Sequence, residues 1–461
     1  MEVEVLVEGF TFLNKTKDKT KDKTKDEIGI KIKSLVTKEE ALIKIRFPEF
    51  CELASISSPT SIDFFFLSSI VYCIDRFINR ISYSEDGWTR NIKVVFPVFE
   101  KEIWSKSKNE LESTLSFLTG DYWNVDFKDS MIEIPIKIIS DDYINKVYEQ
   151  VNLFSGGLDS LIGAIDFLGN PKNKKKNLLL VSHFDSQMKG PNIDQNNLIN
   201  KFPLDYVNRL KRVSLVEVTL SNCSNLEKTF RSRSILFLGI AVLASDYKRL
   251  PIIVPENGSV SLNYPLSSSR RGACSTRTTH PKFIALLRIL LSKVNLNSNI
   301  SNPYEFSTKG EMVMNCENKS LLNSIVEISN SCGKRGHVVN RSEKKSTHCG
   351  VCMPCTYRKA SLISIKDKTV YGDDFNKKFT GRNKTTPFLL SGQGEDINAL
   401  LNFLGENLSR NEIMRELVIG GIENDDKIER YIDLVINTRK ELKQLVDKTC
   451  SISERRKQAG L

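Results

Sequence analysis

Apolar and polar residues alternate along three stretches near the N-terminus, at residues 3–7, 28–32 and 43–47. Successive side chains of a β-strand point to opposite faces, so this alternation predicts three half-buried strands. An apolar run at 62–79 predicts a buried helix, and residues 92–98 predict a further strand. Residues 1–145 are therefore expected to form an N-terminal α+β domain, in which the aromatic stretch 117–123 is a turn.

From Val151 the pattern changes to an alternation of strands and helices. Strands are expected at 178–181, 213–220 and 252–254, and helices at 193–202, 235–247 and 283–293. Such alternation predicts an α/β fold, a doubly wound and mainly parallel sheet with helices on both faces. We expect this domain to cover residues 146–375. In such sheets ligands bind at the carboxyl ends of the strands.

The remaining residues, 376–461, are expected to form a helical C-terminal segment. Residues 377–394 are typical of a linker, whereas apolar positions keep helical spacing over 397–408 and 428–435. Residues 451–461 are polar and basic, so a frayed tail is expected there.

The stretch VNLFSGGLDSLIGAIDFL at 151–168 joins a short apolar run to an amphipathic helix through a double-glycine turn. Gly156 and Gly157 let the backbone approach a ligand, and the start of the helix supplies free N–H groups and a favourable dipole for an anion. Ser155 and Ser160 add hydroxyl donors. Asp159 either orients the turn or holds Mg²⁺ beside nucleotide phosphates. The turn is expected to bind phosphate.

Other candidate residues fall at the same predicted edge of the sheet. His183 and Gln187 follow the second strand, and Glu256 and Asn257 follow the fourth. A histidine in this position serves equally well as a cap of the sheet. The remaining candidates are basic: Arg231 and Arg233 at a helix start, Arg270, Arg271 and Arg277 in a Ser/Thr/Arg-rich loop, and Lys309 after a turn. Arginines at a helix N-terminus oppose its dipole, so an anion or a surface salt bridge must compensate them.

Four of the ten cysteines form a cluster, with the spacing Cys-x16-Cys-x2-Cys-x2-Cys. They are Cys332, Cys349, Cys352 and Cys355. Four thiolates complete a tetrahedral structural zinc site. An iron–sulfur cluster uses the same ligands and stays an alternative.

Composition bounds the function further. The chain has 461 residues, of which 40% are hydrophobic and 27% charged, as in an ordinary globular protein. It shows no signal peptide and no run long enough to span a membrane, so a soluble cytoplasmic protein is expected. The net charge of +11 would suit nucleic acid, but much of the lysine lies in the Lys-Thr-Lys-Asp repeats at 15–26 and at 172–176, which favours solvated segments. Nucleic acid is a possible partner but not the favoured one.

The sequence SGGLDS at 155–160 resembles the signature of the PP-loop ATP pyrophosphatases, an adenine nucleotide alpha hydrolase-like fold. Together with a glutamine after the second strand, a basic residue before the third helix and the set of four cysteines followed by Arg358, it resembles the QueC family of 7-cyano-7-deazaguanine synthases over about residues 150–370. The resemblance implies ATP, Mg²⁺ and Zn²⁺ as cofactors and an enzyme that adenylates a 7-deazaguanine carboxylate with release of pyrophosphate. It implies that residues 155–160 and His183 bind ATP. The implied catalytic residues are Asp159, Ser160, Arg233 and Lys309, and the implied substrate-binding residues are Gln187, Glu256, Asn257, Arg270 and Arg277.

The chain departs from the housekeeping enzymes in its length, in Asp185-Ser186-Gln187 and in the segment 256–278. It is more similar to the QueC-like proteins of bacterial antiphage islands, the QatC type. For these the attacking amine is either ammonia or a partner protein of the same defence system, such as QatB. Two other functions stay open: a tRNA-modifying PP-loop enzyme and a non-catalytic nucleotide-binding scaffold.

Overall fold

The computed structural model describes residues 2–12, 27–135, 137–138, 146–184, 191–213, 216–223, 225–266, 274–335, 341–365, 367–380, 385–423 and 425–461. The lysine repeats at 15–26, Gln187, Arg270 and Arg271 lie outside these residues. The strands are, in chain order, β1 (Glu2–Phe12), β2 (Glu27–Ser34), β3 (Glu40–Arg46), β4 (Asn91–Val98), β5 (Tyr122–Asp129), β6 (Tyr148–Leu153), β7 (Asn177–Val181), β8 (His183–Phe184), β9 (Leu210–Arg212), β10 (Val216–Ser221), β11 (Ile252–Ile253), β12 (Ile300–Ser301), β13 (Phe379–Thr380) and β14 (Thr386–Pro387).

The α-helices are, in chain order, α1 (Phe50–Ala54), α2 (Pro59–Phe77), α3 (Arg80–Tyr83), α4 (Lys101–Lys106), α5 (Lys108–Thr119), α6 (Leu158–Gly169), α7 (Pro191–Ile199), α8 (Leu204–Arg209), α9 (Arg233–Ser245), α10 (Gly258–Ser261), α11 (Pro281–Lys293), α12 (Lys309–Asn315), α13 (Lys319–Ile325), α14 (Met353–Ser361), α15 (Glu395–Gly405), α16 (Arg410–Ile419), α17 (Asp425–Thr449) and α18 (Ser453–Gln458). Helices and sheets together confirm the α/β class. Among the residues described, no helix combines the length and apolar character needed to cross a membrane.

A parallel sheet of five strands has the order β12-β11-β6-β7-β9. Numbered along the chain within this sheet, β6, β7, β9, β11 and β12 are strands 1 to 5, and the order reads 3-2-1-4-5 from the other edge. The direction in which strands are added reverses between β6 and β11. Doubly wound sheets bind ligands in the crevice at such a reversal, outside the carboxyl ends of the strands.

Helices cover both faces of this sheet, as the side chains of β7 show. Leu178 and Leu180 belong to the core that α6, α8 and α12 complete, whereas Leu179 and Val181 belong to the core that α9 and α11 complete. Consecutive residues of one strand therefore enter opposite cores, as the period of two requires. Both faces are buried, which explains the continuous apolar run 178–181.

A mixed sheet of seven strands has the order β5-β4-β1-β2-β3-β10-β8. Its first five members contain the predicted N-terminal strands. The stretch 117–123 is more than the expected turn: α5 ends at Thr119, Gly120 takes a left-handed conformation with φ 71°, and β5 follows.

The prediction that residues 213–220 add a strand to the parallel sheet is wrong. Only the short β9 extends that sheet, and β10 pairs antiparallel with β3 of the mixed sheet, with Val218 opposite Ile45. The chain also passes from one sheet to the other at 177–184, where β7 belongs to the parallel sheet and β8 to the mixed one. An apolar strand pairs with whatever edge lies beside it, and periodicity cannot identify that edge. The mixed sheet consequently contains strands from both sides of residue 145.

The C-terminal helices share a hydrophobic core with the cysteine cluster, to which Cys352, Cys355, Leu401, Leu442 and Val446 contribute. The expected frayed tail is not observed. Residues 453–458 form α18, and the buried Arg455 side chain donates hydrogen bonds to the carbonyls of Phe375 and Lys377. Because these carbonyls satisfy its guanidinium, a polar and basic sequence is ordered here.

Candidate functional site

The double-glycine turn follows β6 directly and opens α6. Phe154 donates its backbone N–H to the Val181 carbonyl at 2.7 Å, which fixes the end of β6 against β7. Gly156 then has φ +87°, a conformation that side chains rarely adopt. A Cβ atom there would also lie 3.3 Å from Gln195 Cγ. The positive φ of the turn therefore favours glycine at 156, and a Cβ there would in addition press lightly on Gln195 of α7.

Two hydroxyl groups face each other inside this turn. Ser155 Oγ and Ser160 Oγ are 3.3 Å apart, and Ser160 Oγ donates to the Gly157 carbonyl at 3.0 Å. The Gly157 N–H points to Ser155 Oγ at 3.4 Å. Hydroxyls and the N–H groups that begin α6 are thus gathered at one place, the arrangement that binds a phosphate group.

Asp159 and Lys309 form a buried ion pair beside the turn. Lys309 Nζ lies 2.5 Å from Asp159 Oδ1, and the two side chains are only 5% and 8% exposed. Asn257 donates to the other oxygen, Oδ2, from its side-chain amide at 2.7 Å. Burial alone would raise the pKa of Asp159, but the charge of Lys309, with hydrogen bonds from Glu256, Lys309 and Asn257, lowers it to about 2. Asp159 is therefore ionised at neutral pH.

Glu256 is the second carboxyl group of the site. Burial, and next the negative charge of Asp159, raise the pKa of Glu256 well above its usual value. Two neighbouring carboxyl groups cannot both ionise cheaply, so of the two it is Glu256 that keeps its proton to the higher pH. While Glu256 is protonated, the pair carries a single negative charge beside Lys309.

These residues meet at the reversal of strand order. Asp159 stands in the first turn of α6 after β6, whereas Glu256 and Asn257 follow β11. Lys309 is the first residue of α12, whose capping box joins Thr308 and Glu311. The structure therefore brings together Ser155, Gly156, Gly157, Leu158, Asp159, Ser160, Glu256, Asn257 and Lys309.

Asp159 has little capacity left for a metal ion. Its Oδ1 accepts from Lys309 and its Oδ2 accepts from Asn257. Of the two predicted roles, this arrangement favours orientation of the turn and of Lys309, because a Mg²⁺ ion would have to displace one of these donors.

Residues just before the first clustered cysteine touch the other side of the turn. Asn330 donates its N–H to the Gly156 carbonyl at 2.9 Å, and Ser331 Oγ accepts from the Leu158 N–H at 3.2 Å. Sequence reasoning missed Asn330 and Ser331, as it missed Gln195, whose amide points to the Ser155 carbonyl at 3.4 Å. The sequence offers one indication of Asn330 and Ser331, which is that they directly precede the first clustered cysteine, Cys332.

The four predicted metal ligands do come together. The sulfur atoms of Cys332, Cys349, Cys352 and Cys355 all lie within 4.8 Å of one another. Cys349 Sγ and Cys355 Sγ are 3.8 Å apart. Thiolates about 2.3 Å from one zinc ion at tetrahedral angles would be separated by about 3.8 Å, so the cluster fits zinc.

Backbone N–H groups support the sulfurs. The N–H of Cys349 points to Cys332 Sγ and that of Cys352 to Cys349 Sγ, each at 3.2 Å. Gly350, with φ +82°, permits this loop, and a Cβ there would lie 2.0 Å from the Asp373 carbonyl oxygen. Arg358 is fully buried and bonds Ser329 Oγ and the Val326 carbonyl, both at 2.7 Å. It therefore anchors the chain that leads to Asn330.

His183 is fully buried between two aromatic rings. The Tyr72 and Phe237 rings stand edge-on to it, with centroids 5.5 and 5.6 Å away. Burial, and then the charge of Arg233, keep the pKa of His183 well below its usual value. Direct contact with ATP does not fit this position, because the ring would have to leave its aromatic surroundings.

Arg233 and Arg277 have aromatic neighbours as well. Arg233 begins α9 with its guanidinium over the Phe237 ring, 5.5 Å from the centroid. Arg277 lies over Phe117 at 4.7 Å and donates to the Phe117 carbonyl at 3.1 Å. These contacts place Arg277 against α5, not with Asp159 and Lys309.

Comparison with protein-family models, curated proteins and solved structures gives no match to this chain. Its function is therefore inferred from the geometry described above and from the motif at 155–160.

Proposed function

We propose that this protein is an ATP-dependent enzyme of the PP-loop type. In this proposal it splits ATP between the α and β phosphates, adenylates a 7-deazaguanine-type carboxylate and transfers the acyl group to an amine, in bacterial antiphage defence. One observation carries the proposal: the buried pair of Lys309 and Asp159 stands beside the double-glycine turn at the reversal of strand order.

The chemistry assigns one task to the turn and another to the lysine. A carboxylate oxygen of the substrate attacks the α phosphorus, the bond from that phosphorus to the bridging oxygen breaks, and pyrophosphate leaves. Negative charge grows on the departing oxygen. The Gly156 N–H and the hydroxyls of Ser155 and Ser160 would hold phosphate oxygens, and the N–H groups of Gly157 and Leu158 would exchange their present acceptors, Ser155 and Ser331, for the ligand. The Lys309 ammonium, which gives one N–H to Asp159, would donate another to the leaving group, and a donor fixed in advance does this best.

A protonated Glu256 would favour phosphate binding. If Glu256 were ionised, two carboxylates would stand beside one ammonium group and would repel an anionic ligand. With its proton retained, the charges of Asp159 and Lys309 cancel. The ligand then meets the dipole of α6 without a net negative charge behind it.

Transfer completes the proposed reaction. The amine attacks the acyl carbon, AMP leaves with the bonding electrons, and the amine loses a proton. The motif resemblance supports the deazaguanine-type acid, and ammonia or a partner protein such as QatB would be the acceptor. Zinc in the four-cysteine cluster would hold residues 329–335 against the turn, and no bond of the substrate changes at it.

Release of pyrophosphate tests the proposal. ATP labelled in the γ phosphate is incubated with the protein, with and without 7-carboxy-7-deazaguanine. Lys309→Met is expected to abolish pyrophosphate release. The matched control is Lys319→Met, the same change at the exposed first residue of α13, which should leave release unchanged. Equal loss in both variants would remove the assigned role of Lys309.

A further inference from the structure

Helix α17 of the C-terminal segment lies along the loops that carry the site. Positions 431, 434, 438 and 441 recur at intervals of three or four residues and so form one face of the helix. Tyr431 bonds the Glu305 carboxylate, and Thr438 Oγ1 lies 2.5 Å from Ser259 Oγ. Glu305 belongs to the loop after β12, and Ser259 to α10, the short helix after β11. A single helix face therefore contacts the segments that follow two neighbouring strands of the parallel sheet.

Glu441, the last of these four residues, accepts hydrogen bonds from both chain neighbours of Lys309. Thr308 Oγ1 donates to Glu441 Oε1, and the Gly310 N–H donates to Glu441 Oε2 at 3.3 Å. The residues immediately before and after Lys309 are thus bound to the same carboxylate. Gly310 permits this approach, because a Cβ at that position would lie 2.4 Å from Glu441 Oε1.

The bonds of Glu441 complete the start of α12. Thr308 Oγ1 accepts from the Glu311 N–H at 3.0 Å, which leaves its hydroxyl proton for Glu441. The N–H of Gly310 is one of those that a helix leaves without an internal partner, and Glu441 supplies the acceptor. Lys309 then has a fixed backbone on both sides, and its 5% exposed side chain can reach only a narrow region that includes Asp159.

We infer that Glu441 is a positioning residue for Lys309 and that the C-terminal helix is consequently part of the catalytic apparatus. The catalytic consequence rests on the proposed function, whereas the positioning itself does not. Loss of the carboxylate should free the first turn of α12 and let the Lys309 amine leave Asp159. A displacement of about 1 Å at such a group lowers a rate by about a hundredfold.

The first test measures the position of the amine without any reaction of ATP. The folded full-length chain is acetylated briefly, and modification of Lys309 is followed by mass spectrometry. Glu441→Ala is expected to raise the rate at Lys309 by about tenfold, because local opening exposes the amine. The control is Arg439→Ala on the same helix, whose guanidinium bonds the carbonyls of Phe403 and Leu404 at the end of α15. It loosens α17 without touching Thr308 or Gly310.

The second test follows pyrophosphate release. Glu441→Ala should lower kcat by about a hundredfold while the KM for ATP changes by less than about threefold, since an interaction made mainly in the transition state is lost. Glu441→Gln keeps an oxygen for Thr308 and loses the acceptor for Gly310, so it should fall between Glu441→Ala and the parent. It also serves as the test variant if Glu441→Ala does not fold.

The outcomes separate the two ideas. Faster acetylation of Lys309 in the Glu441 variants than in Arg439→Ala supports the positioning role even if the parent protein releases no pyrophosphate, a result that would defeat the proposed function alone. Acetylation no faster in the Glu441 variants than in Arg439→Ala overturns the inference, whatever the activity.

Discussion

Lys309 Nζ lies 2.5 Å from Asp159 Oδ1 although 150 residues of chain separate the two. Asp159 lies on the helix that starts at the double-glycine turn, and Lys309 on a short helix that follows the last strand of the parallel sheet. The pair thus connects the two halves of the sheet across the reversal of strand order. A change at either residue should affect both stability and chemistry.

Lys309→Met should destabilise the protein by about 3 kcal/mol, because it leaves the Asp159 carboxylate buried without its counter-charge. Urea denaturation measures this loss. The double variant Asp159→Asn with Lys309→Met should recover part of it, since no unpaired charge remains. Additive losses in the double variant would mean that the two side chains do not interact.

The pH dependence of stability should report on Glu256. Its pKa is raised in the folded chain above the ordinary 4.5, so between these values the folded state holds a proton that the unfolded state has lost. Stability from this group is complete below pH 4.5 and declines as the pH rises. Glu256→Gln imitates the protonated form. Above pH 4.5 its free energy of unfolding should rise relative to that of the parent by at most about 1.4 kcal/mol per pH unit. A gap between the two that is constant from pH 4.5 to 8 would show that Glu256 is ionised.

Gly156→Ala should lower the free energy of unfolding by about 1–2 kcal/mol, because a residue with an L side chain is strained at φ +87°. The same change at Gly392, where a Cβ would meet nothing within 4 Å, should have almost no effect. Thermal denaturation compares the two variants. Equal melting temperatures would argue against a strained turn at Gly156.

Loss of the metal should loosen the double-glycine turn. Elemental analysis is expected to find one zinc ion per chain. Cys352→Ala should abolish binding and destabilise the C-terminal half of the α/β domain, since metal binding contributes to the free energy of folding. Hydrogen exchange should then quicken at the Leu158 and Asn330 amides, which join the two regions, but not in β1 to β5. Iron in place of zinc would contradict the zinc assignment, and an unchanged turn would contradict the coupling.

The double-glycine turn was predictable as a strand-to-helix turn because its signal is local. Two glycines, two serines and an aspartate lie within six consecutive positions, and the helix that follows shows its own periodicity. Lys309 gives no such signal: a single lysine after a turn resembles any solvent-exposed one, and its burial depends on how β6, β11 and β12 are arranged. Glu441 lies further still from any motif, on a helix whose periodicity predicts only that it is amphipathic.

His183 shows where strand-end reasoning fails. The expectation that it follows the second strand is correct, since β7 ends at Val181. The chain does not stop at the edge of the sheet, however, but continues as β8 into the mixed sheet, where Tyr72 and Phe237 enclose the ring. That continuation is set by pairing with β10, a contact between distant segments. Local pattern could not reveal it.

Cleavage of ATP at the double-glycine turn can be tested by identifying the products that the purified protein forms from ATP and 7-carboxy-7-deazaguanine. We expect pyrophosphate from the parent protein, an adenylated acid or AMP as the other product, and neither from Asp159→Ala or Lys309→Met. Formation of ADP and phosphate would contradict cleavage between the α and β phosphates. Pyrophosphate release by Asp159→Ala at nearly the parent rate would show that the chemistry takes place elsewhere than at the double-glycine turn.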